Sequence, residues 1–96
     1  MTLARLVKIF TRYPGVEQAT SYGTPAFRVR KKLLARMHQT EKAIVLRIAD
    51  LEEQETLIKM DPEVFYVTDH YSGHPYVLAR LSTVAEAQIL DVFEAA

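Results

Sequence analysis

Residues 25–38 read PAFRVRKKLLARMH, and this stretch decides the fold because its apolar residues recur at every second position. Phe27 and Val29 point to one face of a predicted strand, and the arginines that follow each of them point to the other. The alternation resumes directly after Lys31 and Lys32, so these two lysines are predicted to form the tip of a hairpin.

The sequence on both sides of this hairpin predicts further short helices and strands. Apolar residues at helical spacing predict a first helix that ends at Tyr13-Pro14-Gly15, and residues 16–24 are predicted to be irregular. Residues 43–48 predict a third strand. Further elements are predicted as a helix from Asp50 to about Met60, strands over 64–68 and 76–81, and a last helix that begins after Thr83.

The predicted order is therefore α-β-β-β-α-β-β-α in one domain that spans residues 1–96. Strands in groups with short connections, separated by single helices, favour an antiparallel sheet with helices packed on one face. The predicted fold class is α+β, a two-layer arrangement with a five-stranded antiparallel sheet. The inward side chains are predicted to be Phe27, Val29, Leu33, Ala35, Met37, Ile44, Leu46, Ile48, Phe65, Val67, Val77, Ala79 and Leu81.

Composition excludes several classes of protein and site. Without cysteine the chain has no disulfide framework, no thiolate nucleophile and no cysteine-based zinc site. Its first residues form a basic amphipathic pattern rather than an apolar run, which argues against a secretory signal in its usual form. The apolar stretches are far shorter than the ~20 residues of a membrane span, so a cytoplasmic protein without a membrane partner is expected.

Charge is sorted along the chain although it sums to zero. Residues 1–48 carry ten Lys/Arg and two acids, whereas residues 49–96 carry two Lys/Arg and ten acids. A neutral protein with such sorting can present a basic surface to an anionic partner. The alternative is that the two halves neutralise each other in the fold.

The outer face of the predicted sheet gathers many of these cations and carries no acid at any predicted strand position. Guanidinium groups match the geometry of phosphate, and tyrosine rings can stack on bases. Arginine is also common on solvated sheet faces, so that alternative stays open. The residues predicted to contact nucleic acid, with DNA as the leading case, are Arg28, Arg30, Lys31, Lys32, Arg36, His38, Arg47, Tyr66, Tyr76 and Arg80.

A protein-binding module is the second hypothesis. It would use the sheet face or a strand edge, and an exposed apolar patch would favour it over nucleic-acid binding. The candidates for such a patch on the outer face are Leu34, Val45, Val64 and Leu78. The oligomeric state is not predicted.

Two separate motifs resemble those of a known family. Residues 13–17 (YPGVE) and 21–27 (SYGTPAF) look like an opening signature, and residues 61–65 (DPEVF) with 68–77 (TDHYSGHPYV) look like a second one. The chain resembles the MmcQ/YjbR family over nearly its whole length. The resemblance implies an α+β domain with a five-stranded antiparallel sheet, similar in fold to type III secretion chaperones and sometimes likened to frataxin. It also implies DNA binding.

The motif loops suggest a third hypothesis, a small-ligand pocket. Gly23, Pro25, Gly73 and Pro75 are explained by turn chemistry, but turns do not require their tyrosine, threonine or histidine neighbours. The residues that could line a pocket, if the two loops meet, are Tyr22, Thr24, His70 and Tyr71.

Catalytic and metal chemistry is not expected. His70 and His74 have the spacing of a helical metal pair, but Gly73 and Pro75 argue against a helix there. No nucleophile elbow and no glycine-rich phosphate loop is present. The sequence therefore predicts no enzyme activity, no cofactor and no metal site.

Overall fold

The computed structural model describes residues 1–21 and 23–95, which form three helices and one antiparallel sheet of six strands. The helices are α1 (Leu3–Phe10), α2 (Leu51–Met60) and α3 (Glu86–Ala95). The strands are β1 (Val16–Ser21), β2 (Thr24–Val29), β3 (Lys32–Met37), β4 (Ala43–Arg47), β5 (Phe65–Tyr66) and β6 (Tyr76–Arg80). Their order across the sheet is β1-β2-β3-β4-β6-β5.

The predicted α+β class and antiparallel sheet are confirmed, but the predicted count of five strands is wrong. Residues 16–21, predicted to be irregular, form β1 and pair with β2 from Val16↔Val29 to Ser21↔Thr24. β1 lies at the edge of the sheet, and only one of its six residues, Ser21, is buried. Because an edge strand buries little, its polar sequence VEQATS does not show the apolar alternation that identifies the inner strands.

The β2–β3 hairpin turns one residue earlier than predicted. Val29 pairs with Lys32, so the two-residue turn is Arg30-Lys31 rather than Lys31-Lys32. Both turn residues have positive φ, 49° for Arg30 and 68° for Lys31. Two consecutive positive φ values match the twist of a hairpin, but they favour Asn-Gly and are strained for arginine and lysine, whose Cβ atoms approach the backbone carbonyl oxygen.

This strain leads to a prediction about stability. Replacing Arg30→Asn together with Lys31→Gly should stabilise the fold by about 1 kcal/mol and raise Tm by roughly 4–8 °C, because both new residues accept positive φ. Arg30→Gln with Lys31→Gln removes the same two charges without relieving the backbone and should leave Tm nearly unchanged. Calorimetry gives the Tm of both double variants. Equal Tm values would show that the backbone of the Arg30-Lys31 turn is not strained.

A β-bulge separates the two ends of the same hairpin. Phe27 pairs with Ala35, but the next residue, Arg28, pairs with Leu33, so Leu34 is the additional residue of β3. Directly paired residues share a face of the sheet. The prediction that Leu33 points inward is therefore wrong, because the bulge places it on the face of Arg28.

The main core lies between the helices and one face of the sheet. α1 contributes Leu6, Ile9 and Phe10, and the Phe10 ring packs 4.7 Å from that of Phe27 between centroids. The sheet contributes Phe27, Ala35, Ile44, Leu46, Phe65, Val77 and Ala79, which were predicted to point inward. Val64, predicted on the outer face, is instead 4% exposed in this core because it precedes β5 in a turn closed by a hydrogen bond from Val64 N to Asp61 O.

The opposite face of the sheet is covered in part by residues 68–75, here called the strap. Tyr71 of the strap is buried and packs with Ala43, Val45 and Leu78 in a second, smaller apolar cluster. Gln54 of α2 is also buried, and its Nε2 donates to the carbonyl oxygens of His74 (3.0 Å) and Tyr76 (2.8 Å). The strap is therefore fixed both by its tyrosine and by a side chain from α2.

None of the helices in residues 1–21 and 23–95 is long and apolar enough to cross a membrane. Within the same residues, no three or more histidine, aspartate or glutamate side chains are grouped so that they could hold a metal ion.

Candidate nucleic-acid interface

Five cations gather at the end of the sheet where the β2–β3 hairpin turns. Four of them are exposed, and Arg28 is half-buried, with its Nη1 donating to Lys31 O at 3.4 Å. Because Ala35 pairs with Leu46, β4 ends beside the hairpin and brings its last residue to the same end. This group, here called the hairpin cluster, consists of Arg28, Arg30, Lys31, Lys32 and Arg47.

A shallow depression of about 320 Å³ lies within the hairpin cluster. Its lining combines two cationic side chains with apolar surface from β2, β3 and the residues after β4. The lining residues are Val29, Lys32, Leu33, Leu34, Arg47, Ile48 and Ala49. Long basic side chains can extend along such apolar walls and keep their charged ends in water.

The predicted face is not free of acids at strand positions, so that prediction is wrong. Glu17 pairs directly with Arg28, and it belongs to β1, which was not predicted to be a strand. Glu41, between β3 and β4, accepts a hydrogen bond from the Tyr66 hydroxyl at 3.0 Å. Both acids lower the positive potential near the residues that they face.

Arg36 lies apart from the hairpin cluster, beneath the strap. It is only 7% exposed, and its guanidinium donates to the Tyr71 hydroxyl and to Met37 O. The Arg36 guanidinium carbon lies 5.5 Å from the centroid of the Tyr71 ring. Arg36 thus has a structural contact with the strap, and its role as a phosphate contact stays a prediction.

Arg80 is also held within the sheet face. Its guanidinium stacks over the Tyr66 ring at 4.2 Å, and its Nη1 donates to Pro62 O at 2.9 Å. A cation over a tyrosine face is attracted by the quadrupole of the ring. The pair Arg80–Tyr66 therefore connects β6 to β5 at the far edge of the sheet from β1.

Burial first, and then the hydrogen bond to Glu41 and the charge of Glu41, together raise the pKa of Tyr66 to about 12. An unfolded tyrosine ionises near pH 10, so between about pH 10 and 12 the folded state holds a proton that the unfolded state has lost. The free energy of unfolding should therefore fall as pH rises through this window.

In Tyr66→Phe the free energy of unfolding should fall less steeply as pH rises. Urea denaturation midpoints at pH 9, 10 and 11 measure this change. The hydrogen bond to Glu94 raises the pKa of Tyr13 as well, so the variant should retain part of the slope. An unchanged slope in Tyr66→Phe would contradict the prediction.

His38 shapes the turn between β3 and β4. Its Nδ1 accepts hydrogen bonds from the backbone N–H groups of Thr40 (3.1 Å) and Glu41 (3.0 Å). A neutral imidazole that accepts at Nδ1 carries its proton on Nε2, which leaves Nε2 as a donor. Tyr76 is half-buried, with its ring 5.7 Å from that of Tyr71.

A comparison with protein-family models matches one of them, YjbR, over residues 11–96. The chain belongs to the YjbR family. The resemblance drawn from the two sequence motifs is thereby confirmed, and both motifs lie inside the matched residues. No curated protein and no solved structure matches the chain.

In this YjbR-family chain the two motif loops have different structural roles. Thr24 Oγ1 donates to Ser21 O at 2.7 Å and so closes the turn between β1 and β2. The ring of His70 packs edge to face against Tyr71 at 4.9 Å. Tyr22, the fourth candidate for a loop pocket, lies outside the described residues.

The apolar patch proposed for protein binding is not exposed in this YjbR-family chain. Val45 and Leu78 are 1% and 0% exposed because Tyr71 covers them, and Val64 lies in the main core. Leu34 is half-buried in the depression of the hairpin cluster. These four residues therefore do not form the exposed apolar patch that would have favoured a protein-binding module over nucleic-acid binding.

Sequence reasoning overlooked Gln54, which fixes the strap. The sequence shows that Gln54, Leu57 and Ile58 have the spacing of one helix face, and Leu57 and Ile58 contact the main core. A polar residue on such a face needs a hydrogen-bond partner when it is buried, and the strap carbonyls supply it.

Proposed function

We propose that this protein binds DNA through its phosphate backbone and that the contacts centre on the hairpin cluster. The observation that carries the proposal is the exposed run Arg30-Lys31-Lys32, which forms the tight turn and the first residue of β3, with Arg28 and Arg47 beside it. A tight turn holds consecutive side chains on a rigid support, so their charges act on a single ligand.

The charge distribution supports a polyanionic ligand. The five cations lie at one end of the sheet, where the nearby acids are Glu17, which pairs with Arg28, and Asp50 and Glu53 at the start of α2 beside Ala49. Five cations against these three acids leave an excess of positive charge at this end. Arginine and lysine at that end suit charge-assisted hydrogen bonds to phosphate oxygens.

The shape of the element supports recognition that depends little on base sequence. β2 and β3 also pair with β1 and β4, so their turn projects from the end of a wide sheet and not from a free two-stranded ribbon of the kind that enters the major groove. The hairpin carries mainly basic side chains at its tip, and basic side chains most often contact phosphates, which position a protein without reading bases. In this proposal Arg36 and Arg80 support the sheet face, and Tyr76 and His38 lie beside the strap.

The test is a binding titration with a fluorescent duplex of about 20 base pairs at several salt concentrations. Five phosphate contacts should give a slope of log K against log salt of about −4.5, because each contact contributes about −0.9. The same titration with duplex RNA of equal sequence compares the two nucleic acids. Absence of binding at low salt, or a slope near zero, would overturn the proposal.

A further inference from the structure

The strap forms one side of two adjoining depressions on the outer face of the sheet. The first, of about 400 Å³, is lined by Arg36, His38, Gln39 and His70. The second, of about 230 Å³, is lined by His70, Tyr71, His74 and Tyr76. His70 belongs to both linings, so the two depressions meet at this residue.

The first depression has the lining of an anion site. Arg36 places a buried positive charge there; its Nη1 and Nη2 also donate to Met37 O and to the Tyr71 hydroxyl, so its contribution to an anion is mainly the charge. A charge in a poorly screened environment interacts strongly with a nearby anion. His38 contributes Nε2 as a donor because its Nδ1 is occupied by the backbone of the β3–β4 turn. No carboxylate belongs to the described lining, so hydrogen-bond donors predominate.

The second depression has the lining of a site for a planar ring. His70 and His74 are exposed, Tyr76 is half-buried, and the Tyr71 ring stands edge to face against both His70 and Tyr76. Aromatic side chains bind bases by stacking, which is tolerant of base identity. The combined volume lies in the range of small-molecule sites.

We infer that the two depressions form one binding site for a nucleoside monophosphate, with the phosphate beside Arg36 and His38 and the base beside His70 and Tyr76. The ligand is either a free mononucleotide or the 5′-terminal nucleotide of a strand. The site is separate from the hairpin cluster and does not depend on DNA binding there. None of Arg28, Arg30, Lys31, Lys32 and Arg47 belongs to either lining.

The experiment uses calorimetry and amide NMR shifts of the whole chain with AMP, adenosine and inorganic phosphate. AMP should bind at least about tenfold more tightly than either fragment, because only AMP occupies both depressions. Its shifts should map to residues 36–39 and 70–76. Shifts at residues 28–32 and 47 alone would overturn the inference, since they would indicate general anion binding at the hairpin.

His70→Ala tests the shared residue and should weaken AMP about tenfold while leaving Tm nearly unchanged, since His70 is exposed. Lys31→Ala, which removes an exposed cation outside the site, is the matched control and should leave AMP affinity unchanged. Equal losses in both variants, or no loss in His70→Ala, would overturn the inference.

Two oligonucleotides identify the source of the nucleotide. If a short strand with a 5′-phosphate displaces AMP and its 5′-hydroxyl counterpart does not, the site takes strand ends. If neither strand displaces bound AMP, the site takes the free nucleotide. Both results support the site, and loss of duplex binding with retained AMP binding would overturn only the proposed function.

Discussion

Reversing two charges at the tip of the hairpin, with Lys31→Glu and Lys32→Glu, should weaken binding to duplex DNA on the order of a hundredfold at low salt. Two phosphate contacts are lost and two repulsive charges replace them, at the centre of the hairpin cluster. The remaining three contacts should give a salt slope between about −2 and −3. Fluorescence anisotropy at several salt concentrations measures both quantities.

The matched control is Lys8→Glu with Lys59→Glu. These two lysines are exposed on α1 and α2 and do not line the depression of the hairpin cluster, and their reversal changes the net charge by the same amount. At about 0.1 M salt this control should alter the affinity only slightly, because charges beyond the Debye length of about 10 Å are screened. Equal losses in both double variants would mean that net charge, not the hairpin, determines binding.

Removing the tyrosine of the strap should give the largest loss of stability. Tyr71→Ala uncovers Val45 and Leu78 and takes from buried Arg36 its hydroxyl partner. Loss of a buried aromatic side chain costs about 3–5 kcal/mol. Tyr71→Phe keeps the ring and loses only the hydroxyl, so it should cost about 1–3 kcal/mol.

Urea denaturation gives the free energy of unfolding for each variant of the strap. His74→Ala changes an exposed residue of the same segment and should lie within about 0.5 kcal/mol of the unaltered chain. If Tyr71→Ala cost less than about 1 kcal/mol, the strap would not cover the sheet face in solution.

The sequence predicted the inner strands well because a strand with one buried face needs an apolar residue at every second position. Phe27, Ala35, Ile44 and Val77 all lie in the main core, where alternation placed them. β1 was overlooked because an edge strand with one pairing partner needs little apolar surface. Val64 was assigned to the wrong face because only Phe65 and Tyr66 pair as β5.

The sequence identified the residues of the candidate site but not which of the predicted residues are exposed. All five residues of the hairpin cluster were named from the sequence, the three arginines from the alternation and the two lysines from the predicted hairpin tip, and four of the five are exposed. Arg36 occupies the same kind of position, but Tyr71, 35 residues away in sequence, covers it. A contact between residues so far apart in the sequence leaves no pattern in the residues around Arg36. The sequence therefore could not distinguish Arg36 from the exposed arginines near it.

The order of the first four strands has a consequence for folding kinetics. β1, β2, β3 and β4 each pair with their neighbour in the chain, so residues 16–47 close through short loops. Contacts of low sequence separation cost little loop-closure entropy, and we expect them to form first. The two positive φ values of Arg30 and Lys31 then lie inside the folding nucleus, and the Asn-Gly variant should refold faster in stopped-flow measurements.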